Sequence, residues 1–389
     1  MKVYESTEVR NVALVGHGHS GKTSLAAGML FASGVTNRLT RADEGNTITD
    51  FDEEEINRKL SVSTAVAALE WKKKKLNLLD TPGFNLFMYD TKTSMAAADA
   101  ALIVVDGVSG VEVMTERVWQ YAEEFNQPRA FFVNKLDRER SDFQRTVDAI
   151  QEVFGRPCIP VHLPIGAERE FNGVVDIVHM KAYSYTPDGD GKGKEIPIPA
   201  DLADKAQAMH EALIEMVAEG DDALMEAFFA EGTLPAEQIY AGLHSSIKED
   251  KIFPVLCGSA LRNIGTDLAM DFVLEFTPNP TEHAALKAME GDNEVERKIS
   301  DNAHATAYVF KTMADPFAGR LTFFKVCSGV LKNDGALICI RSSSQERLAH
   351  LSVPQGKGLV PVNELHAGDI GVVAKLKDVL TGDTMCEKG

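Results

Sequence analysis

The run Gly16-His17-Gly18-His19-Ser20-Gly21-Lys22-Thr23 limits what this chain can become more than any other feature. It fits G-x-x-x-x-G-K-[ST] and stands between an apolar run at 11–15, read as a buried parallel strand, and 22–33, read as a helix. Glycines let the backbone curl until its N–H groups face one point, and the helix N-terminus adds positive potential there. Such a loop holds phosphates. Lys22 is placed to reach the β/γ-phosphates and the Thr23 hydroxyl to ligate Mg²⁺, so the expected contacts run from Gly16 to Ser24. The same residues also satisfy G-x-G-x-x-G through Gly16, Gly18 and Gly21, with Asp43 and Glu44 downstream, the pattern of a dinucleotide-binding fold. That alternative leaves the Lys-Thr pair without a purpose.

Three later motifs each follow a run that reads as a strand. In Asp80-Thr81-Pro82-Gly83, an Asp at a strand end can hold Mg²⁺ through water. Gly83 can offer its N–H to a γ-phosphate, so the segment would distinguish tri- from diphosphate. In Asn134-Lys135-Leu136-Asp137, the Asp137 carboxylate suits the N1–H and N2 amino donors of guanine, a pair that adenine lacks. Asn134 can bind the N7 edge, and the Lys135 stem can cover the face of the base. In Gly258-Ser259-Ala260, small residues let a backbone N–H approach guanine O6. Alone, each motif reads as a turn. Their order, each at a strand's C-terminal end where open parallel sheets bind ligands, points to a guanine nucleotide.

The chain of 389 residues is too long for one core, so about two or three domains are expected. Strand–helix alternation over 1–157 and 250–285 predicts an α/β domain with a mostly parallel sheet carrying the phosphate loop. The segment 158–249 breaks that rhythm with short strands, a Gly/Pro/Lys loop at 187–199 and acidic helices over 201–248, which reads as an inserted α+β subdomain. After a polar stretch at 278–302, residues 300–389 alternate β-prone runs with Gly-containing turns, as a small β-barrel does. Two details are read as simple: 37–60 as a mobile polar loop, and Lys72–Lys75 as a solvated turn that keeps a sheet edge from pairing. A net charge of −18 argues against coating nucleic acid through charge alone. No run of about 18 apolar residues predicts a membrane span, and the N-terminus lacks a secretory apolar core. The five cysteines lack paired ligand spacing and read as buried free thiols in a reducing compartment.

With these motifs in hand, the chain resembles the elongation factor G family of translational GTPases over essentially its whole length. The likeness is strongest in DTPG, NKLD, PVLCGSA (Pro254–Ala260) and VFKTMADPFAGRLTFFKVCSG (Val309–Gly329), and FNGVVDIVHMKAY (Phe171–Tyr183) resembles that family's insert. The resemblance implies a P-loop GTPase domain with its insert and a following barrel, domain II of the family. It further implies GTP/GDP and Mg²⁺ as ligands, the ribosome (rRNA and ribosomal proteins) as partner, a cytoplasmic monomer, and no DNA or membrane partner. The family continues with further domains, so the chain is expected to be the N-terminal portion of a longer, divergent factor.

Four positions depart from the family pattern. Phe84 stands where the family has a His that positions the attacking water, and Phe can neither donate nor accept a hydrogen bond. His19 replaces an Asp thought to help hold a monovalent cation, and Gly18 replaces a frequent aliphatic residue. The switch segment usually reads R-G-I-T-I and here is Arg58-Lys59-Leu60-Ser61-Val62, in which Ser61 keeps a hydroxyl for Mg²⁺. The resemblance therefore implies a catalytic set of Lys22 with Phe84 at the usual His position, and intact nucleotide binding with slowed hydrolysis. The alternative is a guanine-nucleotide-sensing ribosome-binding module that hydrolyses nothing.

Overall fold

The computed structural model describes residues 2–187, 189–290 and 293–387. The strands Val9–Val15, Ala100–Asp106, Arg129–Asn134 and Phe253–Cys257 are buried along their whole length. Strands apolar on both faces need cover on both sides, the condition of a parallel sheet flanked by helices. The observed order is Ala65–Trp71, Lys74–Asp80, Val9–Val15, Ala100–Asp106, Arg129–Asn134, Phe253–Cys257, Cys158–Pro160. All neighbours are parallel except the hairpin of the first two. The pleat divides the core. Val12 and Leu14 pack with Leu25, Met29 and Phe272 on one face, while Ala13 and Val15 pack with Val118, Phe131 and Ile150 on the other. The helices Lys22–Ala32, Val113–Glu124, Phe143–Phe154 and Thr266–Phe276 supply that cover, the first of them within a residue of its predicted range 22–33.

The insert contributes its first strand, Cys158–Pro160, to the edge of this main sheet. It then forms a four-stranded antiparallel sheet, ordered Lys194–Ile196, Lys181–Ser184, Gly173–Asp176, His162–Ile165. The helices Ala203–Glu219, Asp222–Glu231 and Ala236–Lys248 follow. Beyond the hairpin Leu286–Glu290/Asn293–Arg297, the long hairpin Thr306–Asp315/Gly319–Ser328 opens a β-barrel. Its strands enclose Val309, Phe324, Val326, Leu337, Leu351, Val353, Val373 and Met385. The fold is α/β: a phosphate-loop domain with an inserted α+β subdomain, followed by a β-barrel.

Two simple readings are corrected. The segment 37–60 is not a bare loop, because it holds the helix Glu53–Arg58, whose N-cap Asp52 accepts from Glu54 N at 2.8 Å. Inside it, Glu55 is buried and accepts from Val62 N and Ser63 N at 2.9 and 3.1 Å. A polar helix this short carries no apolar stripe, so periodicity cannot announce it; three acidic residues at its N-terminus suit the helix dipole. The second concerns Lys72–Lys75. Only Lys72 and Lys73 form the turn, both with positive φ (46° and 68°). Lys75 is buried and paired with Asp369 of the barrel, Nζ to Oδ1 2.7 Å. The sheet edge is also paired: Gln355 of the barrel stands opposite Ala67, and Gly356 N donates to Val66 O at 2.8 Å.

The helix Thr266–Phe276 begins just after the Gly258–Ala260 loop and is clamped by the insert. Tyr185 Oη donates to Asp267 Oδ1 at 2.6 Å, and His179 bridges Asp176 (Nδ1–Oδ2 2.7 Å) and Glu275 (Nε2–Oε1 3.2 Å). The two carboxylates, Asp176 first, hold the imidazolium up to about 10. A His raised in the fold stabilises it fully below the ordinary value of 6.5, and that contribution fades as pH climbs through about 10. His179→Asn is therefore expected to lower stability near pH 6 and to flatten the decline between pH 7 and 10. Urea unfolding at several pH values measures it; an unchanged slope would remove the clamp.

Candidate guanine-nucleotide site

The phosphate loop leaves the strand Val9–Val15 and enters the helix Lys22–Ala32 through Gly21, which has φ 98° and provides no side-chain cap. The first N–H groups of the helix are thus left to a ligand. Lys22 is 5% exposed, and its Nζ donates to His17 O and Gly16 O at 2.8 and 3.2 Å. Burial pushes this ammonium down to about 8, against the opposing pull of Asp80 and Asp50. Gly83 lies against it: a Cβ there would fall 2.4 Å from Lys22 Nζ. His17 is turned aside, with Nε2 3.5 Å from Glu112 Oε1, tying the loop to the helix Val113–Glu124.

Below the lysine, oxygen donors gather. Thr23 Oγ1 is 3.3 Å from Ser61 Oγ, which donates to Asp50 Oδ1 at 2.9 Å. Asp80 is buried, its Oδ1 has no hydrogen-bond partner, and burial reinforced by Asp50 pushes its carboxyl up to about 7. A buried carboxylate oxygen without a donor, among hydroxyls and a second carboxylate, fits a hard divalent cation such as Mg²⁺. Among the described residues no three His, Cys, Asp or Glu side chains converge.

At the other end, Asn134 joins two loops. Its Nδ2 donates to Ser20 O at 2.8 Å, while its Oδ1 accepts from Ala260 N at 2.9 Å. Lys135, at φ 65°, sends Nζ to Asp106 Oδ2 and His19 O, both at 2.5 Å. Asp137 Oδ1 accepts from Ser259 Oγ at 2.6 Å. Between the two ends lies a cavity of about 550 Å³, of nucleotide size.

Of the residues singled out in the sequence, Gly18, His19, Gly21, Lys22, Thr23, Ser24, Ser61, Gly83, Phe84, Asn134, Lys135, Asp137 and Ala260 line this cavity. Gly16, His17, Ser20, Asp80, Thr81, Pro82, Leu136 and Ser259 are not among its lining residues. Leu136 packs into the sheet's core, and Thr81 Oγ1 donates to Leu14 O at 2.8 Å. Arg41, Asp50, Lys59, Arg138 and Leu261 line it without having been singled out as nucleotide contacts, and Asp43, named only for the dinucleotide pattern, lines it too. Asp50 had no signal of its own beyond lying upstream of Ser61.

Three of the unusual positions meet. The Phe84 ring stands 5.2 Å from that of His19, edge-on at 81°. A Cβ at Gly18 would fall 2.5 Å from Phe84 Cζ. The phenyl ring therefore fills the volume that a side chain at residue 18 would need.

Comparison with known proteins agrees with this arrangement. Residues 7–279 match the family model of the elongation factor Tu GTP binding domain, and residues 304–388 that of elongation factor G domain 2. Elongation factor G of Mycoplasma genitalium is 36% identical over 379 residues, covering 97% of this chain and 55% of the relative. That of Mycoplasma pneumoniae matches with the same identity and coverage. A crystal structure of a Thermus thermophilus protein superposes with a TM-score of 0.88 at 32% identity, covering 98% of this chain and 55% of the other. The chain thus spans little more than half the length of these relatives. With both domain models matched in order on the fold just described, the chain belongs to the translational GTPase family, in its elongation factor G-like form.

Proposed function

We propose that this chain binds GTP and GDP with Mg²⁺ in the cavity between Lys22 and Asp137, and that it serves on the ribosome as part of an elongation factor G-like translocation factor with slowed GTP hydrolysis. The observation that carries the binding half is the convergence of Lys22, Thr23, Asn134 and Asp137 on one cavity. Lys22 and the loop N–H groups neutralise the β/γ-phosphates. Thr23, Ser61 and Asp80, with Asp50, would hold or orient the shell of Mg²⁺, which would supply charge neutralisation to the phosphates. Asp137, steadied by Ser259, accepts from the base, and Ala260 and Asn134 fix the base loop beside it. A triphosphate orders 37–64 and 80–95, and the ordered form favours the ribosome.

Asp137→Ala removes a charged acceptor for two guanine donors, each worth about 1.5–3 kcal/mol. GTP affinity measured by calorimetry is expected to fall by at least about 10², with ATP affinity unchanged; an unaltered GTP affinity would refute the base assignment.

Phe84 favours a second reading, a nucleotide-sensing module without turnover, because its ring lines the cavity and carries no polar atom. Single-turnover phosphate release with ribosomes decides between them: measurable ribosome-stimulated release supports a slow GTPase, and none supports the module. The dinucleotide reading of Gly16, Gly18 and Gly21 gives no role to Asp137 and would require NAD binding without GTP binding.

A further inference from the structure

Lys311 is a buried cation on the barrel, 5% exposed, in the strand Thr306–Asp315. The pairing register with Gly319–Ser328 slips between Val309 and Lys311, a bulge that re-aims the side chain. Its ammonium points out of the barrel into the phosphate-loop domain. There it donates to Ser63 Oγ at 3.0 Å and to the Thr64 carbonyl, and lies 3.8 Å from Asp90 Oδ2. Asp90 also accepts from Thr64 N, and Glu55 from Val62 N and Ser63 N. The four residues from Ser61 to Thr64 are thus held at one end by Thr23 and Asp50, and at the other by Glu55, Asp90 and Lys311.

Among the described residues, every polar partner of Lys311 comes from 37–64 or 80–95, the segments flanking the phosphates. On the barrel side, its ammonium lies 5.9 Å from the Phe323 ring. A buried ammonium needs its partners, and losing them strands the charge. We propose that Lys311 is a positioning residue that couples the barrel to the nucleotide, because its charge is satisfied only while Ser63–Thr64 and Asp90 are docked together. The inference rests on the reading that a triphosphate orders those segments. By linkage, whatever docks them at the phosphate end holds the barrel strand, and the barrel strand in turn favours the triphosphate.

The test is the ratio of affinities for a non-hydrolysable GTP analogue and GDP in the 389-residue chain, compared with Lys311→Met, which keeps the length and apolar stem and removes the charge. GDP affinity is expected to stay within about twofold, while analogue affinity falls about tenfold, within the usual range of allosteric coupling. Asp90→Asn, which preserves volume, is expected to move the ratio in the same direction. A Lys311→Met protein that melts earlier but keeps the wild-type ratio would reduce Lys311 to a packing residue and overturn the proposal. If wild type itself shows equal affinity for analogue and GDP, the reading of 37–64 and 80–95 fails first and takes this one with it. Should Lys311→Met not fold, hydrogen exchange on wild type decides. Protection of Thr306–Asp315 is expected to rise when the analogue replaces GDP, and identical protection would contradict the coupling.

Discussion

Phe84→His is expected to raise ribosome-stimulated GTP hydrolysis by about 10²–10³, the range lost when an electrostatic or orienting group is removed from better-studied sites. The wild-type ring offers neither donor nor acceptor, yet it occupies a wall of the cavity beside Gly83, the residue that abuts Lys22. An imidazole is smaller than a phenyl, so it enters the same slot above Gly18 and brings a ring nitrogen with it. The geometry also predicts a dependence between sites. Gly18→Val in the wild-type background forces a side chain into the Phe84 ring and is expected to weaken nucleotide binding. In the Phe84→His background the same change should be milder, so the two effects should not add. Single-turnover kinetics and nucleotide titration on the four proteins measure both. An unchanged rate in Phe84→His would show that the phenyl ring is not what limits hydrolysis.

The second large effect concerns the join between the domains. Lys75 and Asp369 are both buried, paired at 2.7 and 2.8 Å to the two carboxylate oxygens. Asp369 also accepts from Asn77 Nδ2 at 2.9 Å, and the same amide donates to Asn11 Oδ1 at 2.8 Å. Asn11 in turn donates to Asp99 Oδ2 at 2.6 Å, and Lys325 of the barrel pairs with Asp99. Removing one partner of such a pair leaves a buried charge uncompensated, at a cost of about 3–5 kcal/mol. Lys75→Met is therefore expected to lose that much stability in urea unfolding. Lys75→Met combined with Asp369→Asn should recover a good part of it, because the stranded charge is gone. A loss under about 1 kcal/mol in the single variant would mean that the pair behaves like a surface bridge.

The motifs at 16–23, 80–83, 134–137 and 258–260 were legible because each is a short contiguous stretch following a strand, and residues from all four line one cavity. The buried strands were legible for a similar local reason, uninterrupted apolar runs. What stayed hidden depended on distant partners. Lys75 reads as one more exposed lysine until Asp369, 294 residues away in sequence, is seen beside it. The helix Glu53–Arg58 depends on a cap and on Glu55 reaching back to Val62 and Ser63, neither of which leaves a periodic trace. Asp50 is marked only by the hydroxyl of Ser61. Gly18, His19 and Phe84 each stood out alone in the sequence, but their mutual contact depends on how 80–95 folds back over the phosphate loop.

The most direct measurement is a titration of the chain with GTP, GDP, ATP and NAD, with and without Mg²⁺. Saturable binding of both guanine nucleotides is expected, with GTP binding that weakens without Mg²⁺ and no comparable binding of ATP or NAD. Equal affinity for ATP, or NAD binding without GTP binding, would contradict the assignment of the cavity between Lys22 and Asp137.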